Sequence, residues 1–324
     1  MTIMKTAAVA LCACAAWATG PASAQPYPSK PIRMIVSLPA GGGVDIMARL
    51  VAQGLSARLG QQIVIENRPG AAGTIATQTV ARSPADGYTI LASSNIEITI
   101  TPNLQPVGYD PVKDLVPLVR TVTVPSVLVA AGNAPYRSMK ELLALIKAGN
   151  GKYSYGTPGT GSAMHIAVEV MREKAGLDLV QVPYKGAPPV LADAMAGSIT
   201  FGVTGLPPAV SLIRSGKLQA LALMSPRRSA VLPEVPTFAE ATGMELTDFP
   251  IWYAFFAPAG TPADIAGKLE AETLAALKDP ELARKLVAAG MDVTGQPSQA
   301  FLETIKAESA SYATIFKRLN IKAE

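Results

Sequence analysis

Pro39-Ala40-Gly41-Gly42-Gly43-Val44-Asp45 lies between an apolar run, Ile32 to Leu38, and an amphipathic run that begins at Ile46. A strand that ends in glycines and feeds a helix can hold an anion. Glycine permits positive φ and lets a ligand approach the main chain closely. The first turn of a helix offers unpaired N–H groups and a partial positive charge. Five more polar strand ends follow: Pro69 to Thr74 (with Ala71, Ala72 and Gly73), Ser93-Ser94-Asn95, Gly156 to Ser162 (with Thr157 and Thr160), Pro183 to Pro188 (with Tyr184), and Thr204-Gly205-Leu206-Pro207-Pro208. One such turn needs glycine for backbone reasons alone. Six together suggest a site, because open α/β sheets bind ligands beyond the carboxyl ends of their strands. Their side chains are hydroxyls and Asn95, with Arg68 and Lys185 as the cations. Amides and hydroxyls backed by helix N-termini suit a carboxylate, and two separated sites would suit a small dicarboxylate. Ordered water can bridge a misfit in size.

Two residues admit two readings each. Asp45 either caps the first helix and complements its dipole, or hydrogen-bonds the ligand and its waters. His165, the single histidine, either braces its own loop or serves as a base beside Ser162. A serine hydrolase is therefore the alternative function, although no Gly-x-Ser-x-Gly elbow is present. The glycine loops also fail the dinucleotide and phosphate-loop patterns. Trp252 and Tyr253 read as core or hinge packing, or as a wall near a cleft.

The elements that must position these loops alternate strand and helix almost throughout. Strands are predicted at 32–37, 63–66, 88–92, 153–155, 179–182, 199–203 and 218–224. Helices are predicted from 46 to 59, to about 82, from 138 (Ser138 with Glu141 as a capping box) to 148, through 164–171, to 196, and over 262–278, 281–289 and 299–318. Short connections argue mostly parallel sheets covered by helices on both faces. Residues 1–24 read as a signal peptide: Lys5, an apolar stretch from Ala7 to Trp17, then Ala22-Ser23-Ala24 before Gln25. Both cysteines, Cys12 and Cys14, fall inside it, so disulfides, thiol nucleophiles and thiolate metal sites are not expected. The remaining chain, about 300 residues, is long enough for about two domains. We expect two α/β lobes, one of 25–121 plus 225–324 and one of 122–224, with the chain crossing near Val119–Pro125 and Leu221–Pro226. The formal net charge of +4 is mild and scattered, which excludes a nucleic-acid surface. No cofactor and no metal are expected.

Pro39 to Asp45, Glu66-Asn67-Arg68-Pro69-Gly70-Ala71-Ala72-Gly73, Asp86-Gly87-Tyr88, Pro183-Tyr184-Lys185-Gly186 and Ala257-Pro258-Ala259-Gly260-Thr261-Pro262 occur in this order. Together they resemble the Bug family, the TctC-like periplasmic receptors of tripartite tricarboxylate transporters. The resemblance implies a two-lobed periplasmic binding protein, a Venus flytrap, that closes on a small carboxylate and delivers it to membrane permease subunits. It acts as a monomer on this reading, and a ligand sensor of a signalling partner would use the same closure. The resemblance implies that Ala40, Gly41, Gly42, Gly43 and Asp45, with Ala71, Ala72 and Gly73, hold the proximal carboxylate. Ser93, Ser94 and Asn95 would line the same lobe, and Thr157, Thr160, Ser162 and His165 would face them. Thr204-Gly205, Thr200 and Ala254 depart from common family residues, and the loss of polar groups there favours a less polar or bulkier acid.

Overall fold

A computed structural model describes residues 26–149, 151–246, 249–319 and 321. The expected leader, 1–24, and its cleavage point at Gln25 lie outside the described residues.

The chain runs β1 (Ile32–Val36), α1 (Gly43–Leu59), β2 (Ile63–Asn67), α2 (Thr74–Ala81), β3 (Thr89–Ser94), a π-helical turn (Ile96–Ile100) and α3 (Thr101–Leu104). Then come β4 (Leu115–Val124), β5 (Ser126–Ala131), α4 (Met139–Ala148), β6 (Ser154–Thr157), α5 (Ala163–Ala175), β7 (Val180–Pro183) and α6 (Ala187–Ala196). The last part holds β8 (Phe201–Gly205), α7 (Val210–Arg214), β9 (Leu218–Leu223), α8 (Phe238–Thr242), β10 (Ile251–Pro258), α9 (Ala263–Leu277), α10 (Pro280–Ala288), β11 (Asp292–Pro297) and α11 (Ser298–Leu319). Two sheets result, ordered β11-β4-β10-β3-β1-β2 and β7-β6-β8-β5-β9. The chain changes sheet at Pro125, between β4 and β5, and returns between β9 and β10.

The sheets are mixed, which corrects the expectation of mostly parallel ones. In the first, β2, β1 and β3 are parallel, while β10 is antiparallel to β3 and β4, and β11 to β4. In the second, β7, β6 and β8 are parallel, and β5 is antiparallel to β8 and β9. The reason lies in the crossings. Strands β4, β5 and β10 carry the chain between sheets, and a strand entering from the far side has no crossover helix to restore its direction.

Local chemistry explains the elements that bear the loops. Helix α1 buries Met47, Ala48, Val51, Leu55 and Leu59, and ends on Gly60 in the left-handed region, whose N–H bonds the Ser56 carbonyl. Strand β10, Ile251-Trp252-Tyr253-Ala254-Phe255-Phe256-Ala257-Pro258, is buried at every position, as befits a central strand covered on both faces. Trp252 packs edge-on to Phe301 of α11 at 4.9 Å, and Phe256 lies 5.6 Å from the same ring. Two end signals differ in detail from the sequence reading. Glu141 accepts from the Arg137 amide rather than completing the box on Ser138, and Pro262 is the N-cap of α9 rather than its first helical residue.

Candidate functional site

The carboxyl ends of β1, β3, β6 and β8 face one another across a cleft, and the loop after β1 is its most built part. Gly42 donates to the Pro39 carbonyl at 3.1 Å, which closes a tight turn, and Gly41 takes φ of +76°. Helix α1 starts at Gly43 without a side-chain cap. The first-turn amides of Gly43, Val44 and Asp45 find no acceptor among the described residues. Gly43 is glycine for a steric reason: a Cβ there would stand 2.0 Å from Oη of Tyr253 on β10. The Tyr253 hydroxyl has no hydrogen-bond partner among the described residues, although the residue is 5% exposed. Burial, and then the charge of Glu97, raise its pKa, so it stays a donor.

Asp45 does not point at the cleft. Its Oδ2 accepts from the Gly41 amide at 2.9 Å and from Arg49 Nε at 3.0 Å, and its Oδ1 accepts from Asn67 Nδ2 at 3.0 Å. Burial would raise its pKa, but Arg49, the Gly41 amide and Asn67 together hold it below the usual carboxylate value. Asp45 therefore ties the glycine loop to α1 and to β2. Asn67 extends the tie with a second bond to the Leu38 carbonyl.

The loop after β2 carries two alanines in the left-handed region, Ala71 at φ 45° and Ala72 at 51°. Each such residue costs about 1–3 kcal/mol and persists where the surroundings hold it. Ala71 and Ala72 are exposed to the cleft mouth, whereas Gly73 is buried, and a Cβ on Gly73 would lie 3.0 Å from Glu97 Cδ. Arg68 is occupied by Glu66 at 2.5 Å.

Glu97 is the residue that the sequence reading missed. It is fully buried in the π-helical turn. Its Oε1 accepts from the Ser37 hydroxyl, from Ser93 Oγ at 2.8 Å and from the Ser94 amide at 2.9 Å, and its Oε2 accepts from Ser94 Oγ at 2.8 Å. The ends of β1 and β3 and the turn at Gly73 thus close on one carboxylate. Burial pushes its pKa up, and the serine donors only partly reverse that. The hydroxyls of Ser93 and Ser94 are spent here rather than on the cleft, although Ser94 still lines the cleft floor. Asn95 is also turned inward, its Nδ2 on the Pro250 carbonyl at 3.0 Å. The signal in the sequence was an acid inside the apolar run Ile96-Glu97-Ile98, directly after two serines.

From the second sheet, Thr160 and Tyr184 line the outer cleft and Gly205 the inner part. Thr157, Ser162, His165 and Thr204 are buried behind that surface and line neither part. Thr204 Oγ1 bonds the Gly205 carbonyl at 3.1 Å, and Tyr184 Oη bonds Asp193 at 2.5 Å. His165 braces its own loop. Its Nδ1 accepts from the Gly161 amide at 2.8 Å, and its Nε2 lies 3.6 Å from Glu169. Ser162 Oγ caps α5 by accepting from the His165 backbone N–H at 3.2 Å, and with Nδ1 on the Gly161 amide and Nε2 beside Glu169 neither ring nitrogen is bonded to that hydroxyl. Burial works against the Glu169 carboxylate, but His165, Tyr155 and Arg172 pull its pKa down to about 2. A lowered acid contributes stability that is full above its ordinary value of 4.5 and fades as pH falls toward about 2. Glu169→Gln should flatten that part of the acid-unfolding curve, read by circular dichroism.

The cleft has an inner and an outer chamber that share Leu38, Pro39, Ile96, Pro158 and Gly186. The inner one is small and reaches Met164, Pro208, Ile251 and Tyr253; the larger outer one runs past Ala71, Ala72, Thr160 and Lys185. The two loop sets abut across it. A Cβ on Gly186 would lie 3.1 Å from the Pro39 ring, and one on Gly161 would lie 1.9 Å from Leu104. Among the described residues no group of three or more His, Cys, Asp or Glu is placed to hold a metal. No described helix is long and apolar enough to cross a membrane.

Two mixed sheets with flanking helices, joined by crossing strands and with facing loops, define the two-lobed binding-protein class. The model of the tripartite tricarboxylate transporter family receptor, TctC, matches residues 47–321, and the chain belongs to that family. It is 38% identical over 272 residues to BugT of Bordetella pertussis, covering 83% of each chain. The structure of the periplasmic binding protein BugD superposes with a TM-score of 0.85 at 32% identity, over 92% of this chain and 100% of the other. An R. palustris protein, Rpa4515, solved with adipate, gives a TM-score of 0.87 at 31% identity, over 91% and 99%.

Proposed function

We propose that this chain is an exported, periplasmic receptor that captures a small organic acid between two lobes and presents it to the permease subunits of a tripartite tricarboxylate-type transporter. The observation that carries the reading is the helix start at Gly43, Val44 and Asp45 with unpartnered amides, where Gly43 lines the cleft with Tyr253 beside it. A helix start of this kind favours an anion, and the solved relative named above carries adipate. One lobe is built on the sheet that holds β4 and β10 and the other on the sheet that holds β5 and β9, so the first crossing falls at Pro125, a few residues past the expected 121/122 boundary; the leader is 1–24, and the receptor works as a monomer without catalysis.

The amides of Gly43 and Val44, with Ala71 and Ala72, hold the carboxylate by main-chain groups and water, while the Gly41 and Gly42 amides, spent on Asp45 and Pro39, shape the loop. Asp45 acts at one remove, by fixing the loop. Asp45→Ala should therefore weaken acid binding by about 10-fold, about 1.4 kcal/mol, while unfolding stays cooperative. Unchanged affinity in calorimetry would reduce Asp45 to a helix-start acid. A hydrolase reading is disfavoured because the His165 ring is engaged by Gly161 and Glu169 rather than by Ser162.

A melting-temperature screen against carboxylates and their amides tests the proposal. An acid ligand should raise the melting temperature as its concentration passes Kd. A panel in which amides and acids act alike, or ester turnover abolished by His165→Ala, would overturn it.

A further inference from the structure

If the cleft is an organic-acid site, the inner chamber narrows the class of acid. Ile96, Pro158, Met164, Pro208 and Ile251 form its wall, and among the described residues no Lys, Arg or His lines it. Two of the three helix starts near it from the second sheet are blocked as anion cradles, and the third, α5, already spends its His165 amide on the Ser162 cap. Helix α6 begins Ala187-Pro188-Pro189, and the turn after β8 continues as Pro207-Pro208. Proline has no N–H, so first-turn amides that would cradle an anion are missing there. Helix α1 differs, with an N–H at each of Gly43, Val44 and Asp45. Among the described residues that line it, the side-chain donor not already spent is the Tyr253 hydroxyl, for which the missing Cβ of Gly43 leaves room.

We infer that the ligand is a monocarboxylic acid with an apolar body, its carboxylate on the first turn of α1 and its hydrocarbon in the inner chamber. A second carboxylate driven inward would lose its water without meeting a cation, and burying such a charge is strongly unfavourable. A diacid that turned its second group outward, toward Lys185, would leave the apolar chamber unfilled.

Calorimetry on the mature receptor with acids matched in length tests this: butanoate with succinate, hexanoate with adipate, benzoate with phthalate, and hexanamide as the neutral control. The monoacid should bind at least about 10-fold more tightly than its diacid in the pairs that bind, and the amide should bind far more weakly than the acid. Diacids that bind as tightly or more tightly would overturn the inference and leave the organic-acid reading standing. Amide binding equal to acid binding, or no binding by any acid, would overturn both. Ala187→Lys, at a half-buried position that lines the chamber, supplies the missing cation. It should shift the monoacid-to-diacid ratio by about 10-fold toward the diacid. An unchanged ratio in the folded variant would also overturn the inference.

Discussion

Glu97→Ala is expected to lower the free energy of unfolding by about 3–5 kcal/mol, because it leaves several buried donors without an acceptor at once. Those donors are the hydroxyls of Ser37, Ser93 and Ser94 and the Ser94 amide. The truncation also opens a void between β1, β3 and the turn at Gly73. Urea unfolding at neutral pH measures the loss. Glu97→Gln keeps an acceptor and should cost much less. The pH dependence separates charge from shape. Burial raises the Glu97 pKa above its ordinary 4.5, so the native state holds the proton more tightly than the unfolded chain does. Its contribution to stability is then greatest below 4.5 and falls as pH rises through the raised value. Relative to wild type, the Gln variant should gain stability as pH climbs from about 4.5. A constant difference across that range would show that the carboxyl has an ordinary pKa.

Gly43→Ala is the second large effect, and it falls on binding. Alanine suits a helix start better than glycine does, so propensity alone favours the change. Sterics oppose it, because the new methyl would lie 2.0 Å from Tyr253 Oη and 2.6 Å from Cζ. Tyr253 is buried in a central strand and has little room to retreat. We expect acid affinity to fall by about 100-fold, about 2.7 kcal/mol, with a further 1–3 kcal/mol of packing strain, roughly, in the fold. Calorimetry beside a thermal melt reads both. A variant that binds as wild type would remove Gly43 and Tyr253 from the ligand surface.

Much of the scaffold was legible because it rests on local chemistry. The apolar run at 32–36, the buried stripe of α1 and the left-handed stop at Gly60 are patterns within one segment. The direction of the sheets was less legible, because β4, β5 and β10 take theirs from a crossing that no local window contains. The cleft glycines were readable as a main-chain site. The polar side chains near them were not, since their direction depends on residues far away in sequence. Ser93 and Ser94 turn to Glu97, Asn95 to Pro250, Asp45 to Asn67 and Arg49, and His165 to Gly161. Residue type allowed ligand contacts for all of these, with a structural role as the alternative for Asp45 and His165; the fold uses them to hold the loops that offer the amides. The apolar wall of the inner chamber was hidden for the opposite reason. Met164, Ile96 and Ile251 look like ordinary core in any sequence window.

A crystal structure of the receptor with its tightest-binding carboxylate would test the central claim most directly. The carboxylate should lie within hydrogen-bond reach, direct or through one water, of the Gly43 and Val44 amides, with the acid's body extending past Tyr253. An acid seated instead behind the crossing strands, in the cavity lined by Ser126, Arg227 and Asp292, would contradict it.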